Sequence, residues 1–256
     1  MSYENAVRSV LRAVVDTVWP DLCVSCRRPV EKPLELHVGL CMACRRRLLS
    51  APVHKCCGCG VELPAAATVD PDRRCAACAH RPPPWRRLSW VWHYRSPLDA
   101  VVVGLKFRRL DYLAERLARP LASALEKSSD DLDAVVPVPL HWTRRLRRGY
   151  DQAALLAFGV GDLLGLPVVD GLIRSRRTPP QSKRDRSGRR RNLESAFRGR
   201  RSLKGRRVLL IDDVITTGAT LESATGALLA AGVAEVDVAV LARTPEPGTM
   251  KNKALK

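Results

Sequence analysis

Nowhere in the 256 residues do 18 apolar positions run together, so the sequence offers no membrane span. The first twenty residues are broken by Glu4, Arg8, Arg12 and Asp16. These are too many charges for the core of a secretion signal, and a cytoplasmic location is expected. Aromatic residues are scarce, with 3 Phe, 4 Tyr and 5 Trp, which argues against an extended channel that stacks bases. No G-x-x-x-x-G-K-[ST] motif occurs, so a P-loop nucleotidase is not expected. Acids are also short: 26 Asp and Glu face 44 Lys and Arg, a formal net charge of +18 at pH 7. Arg outnumbers Lys by 35 to 9. Genomic G+C bias explains that ratio but not the excess of bases over acids. Phosphorylated substrates, nucleic acid or another anionic partner are the physical candidates.

What is present is globular. Hydrophobic residues make up 46% and charged residues 27%, enough for a domain of ordinary size and a smaller module. Eight of the nine cysteines fall into four Cys-x-x-Cys pairs: Cys23/Cys26, Cys41/Cys44, Cys56/Cys59 and Cys75/Cys78. Each pair sets two sulfurs on one side of a tight knuckle, and two knuckles supply the four soft ligands of a tetrahedral zinc ion. Gly58 and Gly60 flank Cys59, as a tight knuckle requires. Two structural Zn2+ sites are therefore expected. A disulfide framework would need an oxidising compartment, and a thioredoxin-like motif would need one pair rather than four. Cys57 reads as a bystander beside Cys56, although a ligand choice shifted onto it stays open. His37, His54 and His80 read as surface or neighbouring residues. The expected role of the metal is to replace a core that so few residues cannot build.

Along the chain, Val7, Val10, Leu11, Val14, Val15 and Val18 form an amphipathic helix within residues 1–18. The double ribbon and a stiff linker ending in Pro82-Pro83-Pro84 occupy 19–84. Strand and helix patterns then alternate over 85–246. Strands are expected at 88–94, 134–139, 168–173, 207–212 and 236–242, and helices at 96–107, 112–126, 150–164 and 221–231. This order implies a parallel sheet with right-handed crossovers. Residues 174–207 carry 15 basic residues against Asp185 and Glu194, and read as a solvated insert or an anion-gripping flap. Residues 247–256 read as a frayed tail.

The chemistry concentrates in Val208-Leu209-Leu210-Ile211-Asp212-Asp213-Val214-Ile215-Thr216-Thr217-Gly218-Ala219-Thr220. A buried strand delivers two acids, a turn of hydroxyl and glycine residues follows, and a helix begins. Ligands of open α/β sheets bind at that end of the strands, and backbone N–H groups at a helix start attract an anion. The acids would repel phosphate, so hydroxyl groups or a divalent metal are their expected partners. The pattern also resembles a Walker B strand or a receiver domain, but the first lacks its partner loop and the second lacks room after Asp213.

This segment resembles the phosphoribosyl-pyrophosphate loop of type I phosphoribosyltransferases, and nearly the whole chain resembles the ComF competence-protein family. The family pattern appears as Leu105-Lys106-Phe107, Pro137-Val138-Pro139-Leu140-His141, Arg144, Arg148-Gly149-Tyr150-Asp151-Gln152, Thr178-Pro179-Pro180-Gln181, Arg189-Arg190-Arg191-Asn192 and Ala196-Phe197. Asp151, Arg184 and Gly188 depart from the usual Asn, Leu and Glu.

The resemblance implies an α/β fold, a parallel-sheet type I phosphoribosyltransferase-like domain preceded by a small double zinc-ribbon module with four cysteines per site. It further implies that Asp212 and Asp213 hold the ribose hydroxyls of phosphoribosyl pyrophosphate, and that Thr216, Thr217, Gly218, Ala219 and Thr220 hold its 5′-phosphate. The turn at 136–139, with Lys106, Arg144 and Arg148, would face the Mg2+-bound pyrophosphate, and loop 183–191 would close over it. The reaction would be pentosyl transfer, in which a nitrogen nucleophile displaces pyrophosphate at ribose C1 through an oxocarbenium-like transition state. His141 is the nearest base, but a lone His before a helix is more often structural. A second functional class stays open: a non-catalytic cytoplasmic competence factor that binds single-stranded DNA during uptake, with a competence helicase as partner. The basic excess favours contact with such a polyanion.

Overall fold

The computed structural model describes residues 21–30, 38–64, 73–108, 110–125, 131–174 and 196–245. The helix expected within 1–18, His37, most of the basic insert and the tail lie outside these residues.

The two ribbons contain short helices α1 (Met42–Arg45) and α2 (Ala76–His80). The α/β region then runs β1 (Leu88–His93), α3 (Leu98–Phe107), α4 (Leu113–Ser123), β2 (Ala134–Pro137), α5 (Trp142–Arg148), α6 (Gln152–Leu164), β3 (Leu172–Arg174), β4 (Phe197–Gly199), β5 (Arg207–Ile215), α7 (Ala219–Ala230) and β6 (Glu235–Arg243). Four strands make one sheet in the order β1-β6-β5-β2, and every pairing is parallel. The near-continuous apolar runs of β5 and β6 put them at its centre, buried on both faces.

Alternation along the strands sorts the core into two layers. Trp92, Val135, Leu209, Ile211, Ala239 and Leu241 face one side, under α3, α4 and α6. Trp90, Val136, Val208, Leu210, Val238 and Val240 face the other, under α7. In α4, Leu113, Leu117 and Leu121 recur every four residues and are fully buried. Gly159 lets α6 cross α4 closely, since a Cβ there would stand 2.7 Å from the Ala118 Cβ.

The strand expected at 168–173 divides. Val168 makes one parallel bridge to Val135, then the chain turns away and β3 pairs antiparallel with β4. These two strands bracket the basic insert, so its ends are tied together beside α7. Strand β5 runs three residues beyond its expected end, and α7 starts two residues early, which tightens the turn between them to Thr216–Gly218. Helix α5 is an addition that the sequence pattern did not supply.

The ribbons are built into this fold. Cys23, Val24, Leu40, Cys41 and Cys44 belong to the same buried layer as α3 and α4. Ala51 N–H donates to Val91 O at 2.7 Å and His93 N–H to Leu49 O at 2.8 Å, so the chain between the ribbons lines the free edge of β1.

At the strand amino ends sits a closed charge cluster. The Arg86 guanidinium pairs bidentately with Asp237 (2.8 and 2.7 Å) and also bonds Asp131, while Arg207 bridges Asp131 and Glu235. Arg86 holds the Asp131 carboxyl down at about 2. A depressed carboxyl adds stability above its unfolded value and loses it as pH falls through the folded one, so this contribution disappears between about pH 4 and pH 2. Asp237 is only 3% exposed. Arg86→Met would strand that buried charge, and urea denaturation at pH 7 should show a loss of about 3 kcal/mol. Adding Asp237→Leu should restore part of it.

Candidate functional site

The four sulfurs of Cys23, Cys26, Cys41 and Cys44 lie within 4.8 Å of one another, and so do those of Cys56, Cys59, Cys75 and Cys78. Cys26 and Cys41 sulfurs stand 3.6 Å apart, and Cys59 and Cys75 sulfurs 3.7 Å. A disulfide needs about 2 Å, whereas four sulfurs around one zinc stand about 3.8 Å apart. The spacing therefore fits a tetrahedral metal site. The knuckles bend through left-handed residues after each first pair: Gly60 (φ +75°) in the second ribbon and Arg27 (φ 64°) in the first. Backbone N–H groups aim at sulfur, as from Cys75 to Cys56 (3.2 Å) and from Cys78 to Cys75 (3.4 Å).

The thiols divide by environment. Burial opposes ionisation of Cys23 and Cys56, yet nearby backbone N–H donors bring both down to about 7. Burial, then neighbouring thiols, pushes Cys44 up to about 12; burial and the Cys56 charge push Cys59 up to about 11. Such a cage resists holding four thiolates without a cation inside it, which is the chemistry of a closed structural metal site. Cys57 stands outside both clusters. His54 and His80 are not among the clustered groups either.

The second centre lies at the carboxyl end of β5. Asp213 is 4% exposed, and both of its oxygens are engaged: Lys106 Nζ reaches Oδ1 at 2.9 Å and Gln152 Nε2 reaches Oδ2 at 3.1 Å. Asp212 Oδ1 accepts from the Asp213 N–H at 2.8 Å. Burial first, and the Asp213 charge second, push the Asp212 carboxyl up to about 7, with Lys106 opposing. The strand ends at Ile215. Thr216 and Thr217 are exposed, Gly218 adopts φ +81°, and Thr220 is half-buried in the first turn of α7. Gly218 is needed for that left-handed angle, because a Cβ there would meet only ordinary contacts. The first N–H groups of α7 have no intrahelical acceptor and favour an anion.

Two motifs that are far apart in sequence meet beside the acids. The last turn of α3 supplies Leu105, Lys106 and Phe107, and the α5–α6 junction supplies Arg148, Tyr150 and Gln152. Tyr150 OH donates to Leu105 O at 2.6 Å, the Arg148 guanidinium lies 4.6 Å from the centre of the Phe107 ring, and Arg148 donates to Gln152 Oε1 at 3.0 Å. Lys106 and Arg148 are thus both joined to Asp213, one directly and one through Gln152. Arg144 falls on α5, and its side chain lies outside the described atoms.

Asp151 caps α6. Its oxygens accept from the backbone N–H groups of Leu140 (2.8 Å), Ala153 (3.1 Å) and Ala154 (3.4 Å). Its charge is therefore committed to backbone, and an Asp serves at this position. His141 caps α5, its Nδ1 accepting from the Thr143 N–H at 3.4 Å, and it is 6% exposed. A buried cap is a structural post rather than a general base. Gln152 is the residue that sequence reasoning left without a role; the one signal for it was its place in the Arg-Gly-Tyr-Asp-Gln run.

The chain is similar to known proteins. The phosphoribosyl transferase domain family matches residues 146–256. The DNA utilization protein YhgH of Salmonella typhimurium is 38% identical over 88% of this chain and 98% of its own. Competence protein F of Haemophilus influenzae is 34% identical over 86% and 96%. Among solved structures, the glutamine phosphoribosylpyrophosphate amidotransferase from B. subtilis is 26% identical, covers 50% of this chain and 25% of its own, and has a TM-score of 0.36.

Reduced, freshly purified protein should carry close to two zinc ions per chain by elemental analysis. Replacing Cys75 and Cys78 with Ser should leave about one. Absence of metal from the intact protein would end the four-thiol reading of both cages.

Proposed function

Because the chain belongs to the ComF family of competence and DNA-utilization proteins, we propose that its phosphoribosyltransferase-like domain binds phosphoribosyl pyrophosphate with Mg2+ at the end of β5. The observation that carries this reading is the twin acids, Asp212 and Asp213, delivered beside a left-handed glycine turn and the start of α7. In this reading the acids take the ribose hydroxyls, and Thr216, Thr217, Gly218, Ala219 and Thr220 cradle the 5′-phosphate. Lys106 and Arg148 supply positive charge on the pyrophosphate side, and Arg144 belongs to the same group. The Mg2+ brings further charge neutralisation to the pyrophosphate when bound. If a nitrogen nucleophile enters, these cations stabilise the leaving pyrophosphate, which is what the transfer requires. Two zinc ions hold the ribbons.

A second reading concerns the polyanion. The insert between β3 and β4 carries most of the 15 basic residues of 174–207, and the relatives are named for competence and DNA utilization. In that reading the protein acts in the cytoplasm, contacting single-stranded DNA and a competence helicase during uptake, with the sugar phosphate as a bound effector. Among the described residues no helix is long and apolar enough to cross a membrane.

Phosphoribosyl pyrophosphate with Mg2+ should raise the melting temperature. Asp212→Asn with Asp213→Asn should abolish the rise, and an undiminished rise would remove the site. The raised carboxyl of Asp212 sets a further expectation. Because its folded pKa exceeds the unfolded value, its contribution to stability is present below about pH 4 and is lost as pH climbs towards 7. Asp212→Asn should therefore stabilise the ligand-free protein at pH 8 by on the order of 1 kcal/mol while weakening ligand binding. Affinity of the unmodified protein for the ligand should rise between pH 6 and pH 8, more steeply than in Asp212→Asn. Single-stranded DNA binding, measured by anisotropy, should weaken steeply with salt; a flat salt response would sink the polyanion reading.

A further inference from the structure

The turn at 216–220 has a neighbour that the reading above does not use. Trp85, between the ribbons and β1, is 4% exposed. Its Nε1 donates to Gly58 O at 2.7 Å, and its Cη2 would stand 3.6 Å from a Cβ at Gly218. Gly58 lies between Cys56 and Cys59, two of the four sulfur donors of the second cage. One indole therefore spans from a metal knuckle to the glycine of the anion turn.

The knuckle is held along its whole length. Its three successive carbonyls are all taken: Cys57 O by Leu88 N–H at 2.7 Å, Gly58 O by Trp85, and Cys59 O by Arg243 Nε at 2.8 Å. Leu88 opens β1 and Arg243 closes β6. The residue after Arg243, Thr244, donates its N–H at 2.9 Å to the carbonyl of Ile215, immediately before the turn. Gly60 completes the seat, because a Cβ there would come within 2.4 Å of Trp90 Nε1.

These carbonyls belong to the turn that carries Cys56 and Cys59, which four sulfurs on one cation would hold folded towards Cys75 and Cys78. The first cage makes different contacts. It packs against α3 and α4, with Val24 Cγ1 3.5 Å from a Cβ position at Gly104 and Leu113 Cδ1 2.9 Å from one at Gly39. None of these contacts reaches the anion turn.

Glycine at φ +81° is the residue least able to hold its own conformation. A rigid ring standing within van der Waals reach of a Cβ at that position, with its N–H anchored elsewhere, limits the space into which the turn can move. We propose that Trp85 is a positioning residue for the turn at 216–220, and that metal in the Cys56/Cys59/Cys75/Cys78 cage governs sugar-phosphate binding through it. The inference rests on the sugar-phosphate reading of that turn.

The test uses the full-length, zinc-loaded chain and Trp85→Phe, which stays apolar but loses the donor and the outer ring edge. Amide hydrogen exchange, read without ligand, should be faster across 215–221 in the variant and unchanged in α4, with zinc content unaltered. Affinity for Mg2+–phosphoribosyl pyrophosphate, by calorimetry, should fall about tenfold, within the usual range for coupled sites. Unaltered exchange at the turn together with unaltered affinity would overturn the proposal. Should Trp85→Phe fail to fold, Cys75→Ser/Cys78→Ser is compared with Cys26→Ser/Cys41→Ser. Loosening of the turn in the first pair alone supports the coupling; equal loosening in both, or none in either, overturns it. If the unmodified chain does not bind the sugar phosphate, the functional reading fails, while the exchange comparison still decides the coupling.

Discussion

Two carboxylates side by side on a buried strand repel each other, and the site is arranged around that cost. Lys106 and Gln152 each take one oxygen of Asp213. Asp212 accepts from its neighbour's N–H, and burial together with the Asp213 charge lifts its carboxyl. The compensation comes from elements far apart in the chain: the end of α3, the start of α6 and the middle of the sheet. A strand that sought only stability would carry Val at these positions, as it does at Val208 and Val214. A carboxyl lifted by burial and by its neighbour at the open end of a parallel sheet is what makes this the candidate site.

The opposite end of the sheet makes the contrast. There Arg86 and Arg207 meet Asp131, Glu235 and Asp237 in a closed cluster that needs no visitor. Both ends collect charge, but each acid of the first cluster meets an Arg, whereas at the other end Lys106 pairs with Asp213 and the Asp212 carboxyl is lifted by burial and by that neighbouring charge. That asymmetry places the candidate site more firmly than the net charge of +18 does, because most of the excess base lies on surfaces and in the insert.

Much of this is legible in the amino-acid order. Cys-x-x-Cys spacing gives both cages, because the sulfur donors are local pairs that one ion could draw together. The apolar runs of β5 and β6 give the centre of a parallel sheet, because strands buried on both faces need them. What escapes is set by tertiary contact. Val168–Arg174 reads as one strand, yet only Val168 bridges to Val135; Leu172 turns to meet Gly199 across the insert. Nothing local in that stretch marks the change of partner. Helix α5 is too short and too rich in Arg for a periodic signal. Gln152 is visible only as a letter in a run, since its value lies in reaching Asp213, 61 positions away. Asp151 looks like an unwelcome charge beside an anion site and is a helix cap, a role that any short acceptor side chain can fill.

The ribbons illustrate how a small module is stabilised without a core of its own. Cys23, Cys41 and Cys44 lie in the same apolar layer as Leu98, Val101, Leu105 and Leu113, so the first cage is a plug in the helical face of the sheet. The second is bound mainly by backbone carbonyls aimed at β1, β6 and Trp85. Cys57 explains itself in this setting. It contributes no sulfur to the cage, but its N–H donates to Arg73 O and its carbonyl accepts from Leu88, so it is fixed by its backbone on both sides. A metal ion held by the four thiols would make this knuckle a rigid edge. Through Trp85 that edge would meet the glycine turn, so that the geometry of the ribbon and that of the candidate site become one constraint.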